Sequence, residues 1–215
     1  MILPNATLFP RTMLPLYIFE PRYRRMLVRT LEGDRLFAVA MKRFDCSREL
    51  PSRVAGLGMV RVAVRNDDGT YHIVLQGLSR IELGKAVSYR PFRRHRFELI
   101  VPESEETPGL RSLMQRIVGL VKIRLQQGSE VSVEILKGLA CESASDFESP
   151  ESTESIEEAL VKMAGIADPE QLVDLIACTL LTIPRERQTM LEVVGIEARL
   201  NALVGFLSAE VARNA

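Results

Sequence analysis

The chain of 215 residues is long enough for two modules, each with a hydrophobic core of its own. Hydrophobic residues make up 47% and charged residues 26%, which is typical of a globular protein and excludes a largely disordered chain. The net charge of zero hides an asymmetry, because residues 1–100 hold 18 Lys and Arg against 9 Asp and Glu, and residues 101–215 hold 10 against 19. Either the two halves attract each other through their opposite charges, or the first half has a basic functional surface.

Cysteine use and hydropathy exclude several further classes. Cys46, Cys141 and Cys178 are far apart and odd in number, which argues against a disulfide framework and a zinc site and fits a reducing compartment. The opening MILPNATLFP has no basic region followed by a long apolar run, so we expect no signal peptide. No apolar run of about 18 residues exists. We therefore expect a cytoplasmic protein without a membrane span, a metal or a cofactor.

The first recognisable unit runs from residue 9 to residue 41 and reads as strand, helix, strand. Leu14, Leu16 and Ile18 alternate as in a half-buried strand. Pro21 suits the first turn of a helix, and Gly33 is expected to end that helix. The segment DRLFAVAM then predicts a second strand.

Residues 54–101 predict a series of short strands. The residues NDDG at 66–69 form a hairpin turn between two alternating segments, in which Val60, Val62 and Val64 are expected to share one face. Gly77 inside the return segment predicts a bulge or a corner. Five or six short strands with one early helix indicate a small closed or nearly closed barrel.

The second half changes to helical periodicity after the acidic segment PESEETPG at 102–109, with Thr107-Pro108 as a helix start. Apolar positions predict helices from residues 110, 131, 156, 168, 183 and 196, separated in one place by an acidic loop at 142–154. The fold class is therefore α+β. A β-barrel subdomain at 1–103 precedes an all-α helical bundle at 104–215.

No pattern in the sequence predicts catalysis. Gly84-Lys85 lacks both ends of a phosphate loop, and Gly56-Leu57-Gly58 is interpreted as a loop leading into a strand, because Arg61 stands where a dinucleotide fingerprint needs glycine. His72 and His95 have no cysteine or carboxylate at a spacing that supports ligation or catalysis. We therefore expect no catalytic, metal-binding or cofactor-binding residues.

The segment YRPFRRHRF at 89–97 is the strongest basic cluster. Its arginines, interleaved with aromatic residues, suit phosphate groups or an acidic peptide; they are Arg90, Arg93, Arg94 and Arg96. In the simpler alternative, which we favour, Phe97 points into the barrel while the arginines are solvated or pair with the acidic second half.

Four segments resemble the Lon N-terminal domain, the substrate-recognition domain of ATP-dependent Lon proteases. They are LPLYIFEPRYRRML with DRLFAVAM, the stretch from Val54 to Leu83, the helix starting at Asp168-Pro169, and the stretch from Arg185 to Glu210. The resemblance implies a PUA-like barrel followed by a helical bundle. It also implies a stand-alone Lon-domain protein (a peptidase S16 lon domain protein), because no ATPase or protease module is present in the 215 residues.

The resemblance favours a non-catalytic module that binds protein or peptide. Its partners would be unfolded or degron-bearing polypeptides, or a protease or ATPase that it serves as an adaptor in protein quality control. Exposed apolar side chains around the first strands and a groove between barrel and bundle would carry binding, and we select Phe9, Tyr17 and Phe92, with barrel core as the alternative for each. The alternative function is RNA binding through Arg90, Arg93, Arg94 and Arg96.

We predict that the purified chain does not cleave casein in the absence of ATP, because no nucleophile with a matching base is visible in its sequence. Gel electrophoresis of casein after prolonged incubation measures this. Casein fragments that appear in proportion to the amount of pure protein would contradict the expectation.

Overall fold

The computed structural model describes residues 1–101, 109–127 and 168–213. The chain divides into two compact units, Met1–Val101 and Pro102–Ala215. The first unit holds a six-stranded sheet with one helix, and the described part of the second is helical. The class is α+β, as predicted.

The first unit contains a mixed sheet in which all pairings but one are antiparallel. Its elements are β1 (Ile2–Leu3), β2 (Met13–Ile18), α1 (Pro21–Leu31), β3 (Leu36–Met41), β4 (Val54–Arg65), β5 (Tyr71–Ser88) and β6 (Arg94–Leu99). The strand order is β1-β3-β4-β5-β2, and β6 also pairs with β5. The short β1 runs parallel to β3. Closure of this sheet into a PUA-like barrel stays a prediction.

Strand β5 is the longest strand of the sheet, with 18 residues. It pairs with β4 along one edge, while the other edge is shared by β2, at residues 71–76, and β6, at residues 81–88. The pairing with β4 slips between Ser79 and Gly77, which leaves Leu78 as an extra residue. The bulge predicted at Gly77 is therefore confirmed.

Three glycines of the sheet allow the segment before β2 to lie directly against it. A Cβ on Gly56 would overlap the carbonyl oxygen of Leu8, and one on Gly77 would overlap the carbonyl oxygen of Phe9. Gly58 faces the side chain of Leu8 in the same way. Gly56 and Gly58 thus lie inside β4, and their interpretation as a loop leading into a strand was wrong: the missing side chains make room for another part of the chain.

The larger hydrophobic core cluster of the first unit lies on one face of the sheet, here called the inner face; a smaller cluster with Ala40, Ala55 and Ile81 lies on the opposite face. Helix α1 covers the inner face with Tyr23, Met26 and Leu27, which pack with buried side chains from β2, β3, β4 and β5. The hydroxyl of Tyr23 accepts from the Ile2 N–H and donates to the Ile2 carbonyl, both at 3.0 Å, so that the helix also holds β1.

The described helices of the second unit are α2 (Leu110–Gln126), α3 (Pro169–Leu180), α4 (Pro184–Glu192) and α5 (Ile196–Arg213). Proline occupies the first turn of α3 and α4, and the carboxylate of Asp168 accepts from the Glu170 N–H at 3.2 Å, as a helix cap does. The predicted start at Thr107-Pro108, the predicted helices at 131–141 and 156–164 and the acidic loop at 142–154 lie outside the described residues.

A fully buried arginine joins α3 to α5. The guanidinium of Arg199, which is 0% exposed, contacts the carboxylates of Glu170 and Asp174. A charge without water is tolerated only where opposite charges and hydrogen bonds replace the lost hydration. Two carboxylates around one guanidinium supply that replacement, and they fix the position of α5 against α3.

The Gly77→Ala variant is expected to lose about 3 kcal/mol of stability, because the new Cβ overlaps the backbone of Phe9 and the sheet must open to admit it. Urea unfolding monitored by circular dichroism measures the loss. Gly33→Ala is the matched control in the same unit: its Cβ would meet only ordinary contacts, so a change within about 0.5 kcal/mol is expected. Equal stability of the two variants would contradict the close approach of the Phe9 backbone to Gly77.

The Arg199→Met variant is expected to lose about 3 to 5 kcal/mol, because the buried carboxylate of Asp174 is left without its counter-charge. The same urea titration provides the measurement. Arg116→Met, at an exposed position of α2, serves as the control and should change stability by less than about 0.5 kcal/mol. If the Arg199 variant loses no more stability than the control, the buried ion pairs do not stabilise the fold.

Candidate functional site

The outer face of the sheet, opposite the larger core cluster, carries an exposed group of uncharged side chains where β2, β5 and β4 lie side by side. Register places Tyr17 beside His72 and His72 beside Val64 in one row across the three strands. The neighbouring row is formed by Pro15, Val74 and Val62. We call these six residues the Tyr17 face.

The Tyr17 face is accessible to solvent although most of its surface is apolar. Tyr17 is 49% exposed, Val62 49% and Val64 55%. The rings of Tyr17 and His72 lie 4.9 Å apart, and Phe19, which is 59% exposed, stacks on Tyr17 at 5.9 Å. Aromatic and branched side chains that remain in water lower their free energy when a partner covers them.

A bulge in β4 brings Val62 and Val64 to the outer face. Val60 pairs with Leu75 and Val62 pairs with Val74, so Arg61 is an extra residue between them. Val60 is consequently 1% exposed and points to the core, while Val62 points outward. The expectation that Val60, Val62 and Val64 share one face was wrong, since strict alternation fails at a bulge. The Arg61 Nε donates to the Gln76 Oε1 at 2.5 Å and holds this geometry.

The three apolar residues selected from the sequence occupy different environments. Tyr17 is 49% exposed and lies on β2, at one side of the exposed face. Phe9 is 0% exposed, so its side chain has no surface for a partner and belongs to the core, the alternative left open for it. Phe92 is half-buried and packs against the core beneath α1, which also leaves little of it for binding.

The arginines of the basic segment differ in their environments. Arg90, Arg94 and Arg96 are exposed, with the last two on β6, while Arg93 is half-buried with its guanidinium 5.5 Å from the centre of the Tyr89 ring. Phe97, expected inside the barrel in the favoured alternative, is 50% exposed. That expectation was wrong because Phe97 pairs with Leu83 on the outer face.

The charged groups around α1 are paired for structural purposes. Two N–H groups of Arg22 donate to the Glu49 carboxylate at 2.5 and 2.7 Å, and its Nε donates to Glu20 at 2.8 Å. These bonds from Arg22 hold the pKa of Glu49 below its usual range, so this carboxyl is poorly suited to act as a general base. Among residues 1–101, 109–127 and 168–213, no group of three or more His, Cys, Asp or Glu side chains is arranged to hold a metal ion.

Within the part of the chain that the structure describes, every helix is too short or too polar to cross a lipid bilayer.

The family model of the ATP-dependent protease La (LON) substrate-binding domain matches residues 1–209. The chain belongs to this family. The resemblance that the sequence segments suggested is therefore confirmed over almost the whole length.

Curated relatives of this Lon domain are much longer proteins. The Lon protease of Dictyoglomus thermophilum is 22% identical over 98% of the chain and 24% of its own length. The Lon protease of Xanthomonas oryzae is 23% identical over 97% of the chain and 22% of its own length. The chain thus spans about a quarter of the curated relatives it matches.

Solved structures show the same fold. The N-terminal domain of the Mycobacterium avium complex Lon protease superposes with a TM-score of 0.66 at 15% identity, covering 97% of this chain and 96% of that one. The Lon N-terminal domain protein from Xanthomonas campestris gives a TM-score of 0.63 at 14% identity, with 95% and 96% covered.

The sequence identified one residue of the Tyr17 face of this Lon domain and missed the other five. Alternation within β2 puts Pro15 and Tyr17 on the face opposite Leu14 and Leu16. A search for apolar residues on the solvent side of that strand would therefore have found Pro15. His72 has no cysteine or carboxylate at a spacing that would mark it as a site residue. Val62 and Val64 were missed because the bulge at Arg61 reverses the alternation of β4, and no sequence motif predicts this bulge.

Proposed function

We propose that this Lon-family domain binds unfolded or degron-bearing polypeptide at the Tyr17 face and has no catalytic activity of its own. The observation that carries the proposal is the exposed apolar surface formed by two neighbouring rows of side chains on β2, β4 and β5. Unfolded chains differ from folded ones chiefly in the apolar side chains they present. A surface that recognises them needs apolar area and no single complementary shape.

The chemistry of the face favours polypeptide over RNA. None of its six residues is Lys or Arg, whereas binding of nucleic acid depends on cations placed against phosphates. Tyr17, whose large ring is half exposed and has Phe19 stacked beside it, has the size and accessibility of a binding hot spot. The hydroxyl of Tyr17 and the imidazole of His72 add polar groups able to bond the backbone of a bound peptide.

We further infer that the domain acts as an adaptor for a protease or ATPase, to which the captured polypeptide is passed. The basis is the family: the relatives that match it carry this domain as about a quarter of a Lon protease. In this proposal the present chain supplies recognition, and the energy and the peptide-bond cleavage come from the partner.

The double variant Tyr17→Ser/Val64→Ser tests the proposed face. We expect its dissociation constant for reduced, carboxymethylated lactalbumin, a permanently unfolded polypeptide, to rise about tenfold or more, because the exposed apolar side chains at both ends of one row are lost. Fluorescence anisotropy of the labelled polypeptide measures binding. The wild-type affinity should fall little between about 50 and 500 mM salt, in contrast to binding by phosphate contacts.

Val28→Ser is the matched control, because Val28 is 42% exposed on the solvent side of α1 and lies outside the Tyr17 face. It should bind as the wild type does. Loss of affinity in both variants, or in neither, would contradict the assignment of binding to the Tyr17 face. Thermal unfolding of each variant checks that the fold is kept.

A further inference from the structure

One edge of strand β6 has no strand partner in the part of the chain that the structure describes. β6 pairs with residues 81–88 of β5, and β2, which lies on the same side of β5, pairs further along at residues 71–76. The Ile100 N–H donates to the Arg80 carbonyl at 3.0 Å. Because backbone groups alternate along a strand, Glu98 also points its N–H and C=O groups to β5, while those of Phe97 and Leu99 point away from it.

Apolar side chains lie along this edge on the outer face of the sheet. Phe97 is 50% exposed and Leu99 is 60% exposed, beside Leu83 and Ile81 of β5. An edge strand that presents unpaired backbone groups together with apolar side chains is a template for pairing with another strand. A strand added at this edge would bond those backbone groups and cover part of both side chains.

The other side of β6 carries charges of both signs. Arg94, Arg96 and Glu98 follow one another at intervals of two residues and are all exposed, so they project from one side of the strand. Glu98 lies opposite Glu82 of β5, whose carboxylate contacts Arg53. Like charges opposite each other destabilise a sheet, and a cation on the unpaired side of Glu98 would offset that repulsion.

The order of charges makes β6 complementary to itself in one antiparallel register. Two identical antiparallel strands are related by a two-fold axis, which passes between the two copies of one residue. An axis at Arg94, Arg96 or Glu98 places like charges opposite each other, and an axis at His95 places Arg94 opposite Arg96. An axis at Phe97 places Arg96 opposite Glu98 twice, and among these five positions it alone brings opposite charges together without opposing like charges.

We propose that β6 pairs with β6 of a second copy of this chain as an antiparallel strand, with Phe97 at the two-fold axis. The backbone N–H of each Phe97 donates to the carbonyl of the other, and Leu99 bonds the backbone of His95 in the same way. Arg96 of each copy contacts Glu98 of the other. This register is the one in which the outward-pointing backbone groups, the exposed apolar side chains and the charges are all partnered.

The interface involves about seven residues from each copy, which is small, so we expect a weak dimer that forms as the concentration rises. The residues of β6 are separate from the six residues of the Tyr17 face. The inference therefore goes beyond the proposed function and does not depend on it.

The decisive experiment is sedimentation velocity of the full chain with two opposite charge reversals. The sedimentation coefficient of the wild type should rise from the monomer value towards the dimer value between about 5 and 500 µM. Arg96→Glu places two acidic residues opposite each other and Glu98→Arg places two basic ones, so each variant alone should raise the dissociation constant of the dimer about tenfold or more. An equimolar mixture of the two variants restores the opposite charges, and heterodimers should form at about the wild-type affinity.

Arg29→Glu and Glu32→Arg are the matched controls, because they make the same two charge changes at exposed positions in and beside α1. Each control should dimerise as the wild type does, and circular dichroism checks that every variant keeps its fold. Three results would overturn the proposal: a wild type that stays monomeric over this range, single variants of β6 that dimerise as well as the wild type, or a mixture of them that stays monomeric.

Disulfide cross-linking tests the register. The two copies of Phe97 face each other with their Cα atoms about 5.5 Å apart, within the range of a disulfide. The two copies of Leu99 lie four residues out of register, about 13 Å apart along the strands. Oxidation should therefore cross-link Phe97→Cys between copies and leave Leu99→Cys no more cross-linked than the wild type, whose own cysteines set the background. Equal cross-linking of the two variants would overturn the register at Phe97.

Discussion

The first unit depends on the close approach of the Leu8–Phe9 segment to the sheet at Gly56, Gly58 and Gly77. This contact helps to decide which face of the sheet becomes the larger core, because it places the almost fully buried side chain of Leu8 in the cluster on the inner side. Helix α1 then closes that side. Once the inner face is filled in this way, the side chains that alternate with it at Tyr17, His72 and Val64 point to the opposite face, where they are exposed.

The outer face follows from that constraint and from two bulges. Leu78 and Arg61 are the extra residues, and each reverses the alternation on its strand. The valines of β4 therefore face the core before the bulge and the outer face after it. The exposed rows of the Tyr17 face arise from this backbone irregularity as much as from the apolar residues of the strand. Bulges close to functional surfaces are common because they redirect side chains without breaking the sheet. In this protein they convert a continuous β pattern into a core and an exposed apolar surface.

Local signals made much of the fold predictable from the sequence. Pro21 and Asp168-Pro169 fixed helix starts, NDDG fixed a hairpin, and Gly77 marked a bulge, because each acts through the backbone within a few residues. Of the six residues of the Tyr17 face, the sequence pointed only to Tyr17. The other members depend on register between strands distant in sequence. The sequence left Phe9 open between a binding role and the core, because its burial depends on glycines about 50 and 70 residues away. Such contacts leave no local pattern.

Methyl-labelled nuclear magnetic resonance with an unfolded polypeptide tests the central claim most directly, since it observes both faces of the sheet in one sample. The account predicts shifts of the methyl groups of Val62, Val64 and Val74 during a titration with carboxymethylated lactalbumin. The methyl groups of Val39, Val60 and Ile73, on the inner face, should stay in place. Unmoved valines on the Tyr17 face in the presence of bound polypeptide would contradict the account.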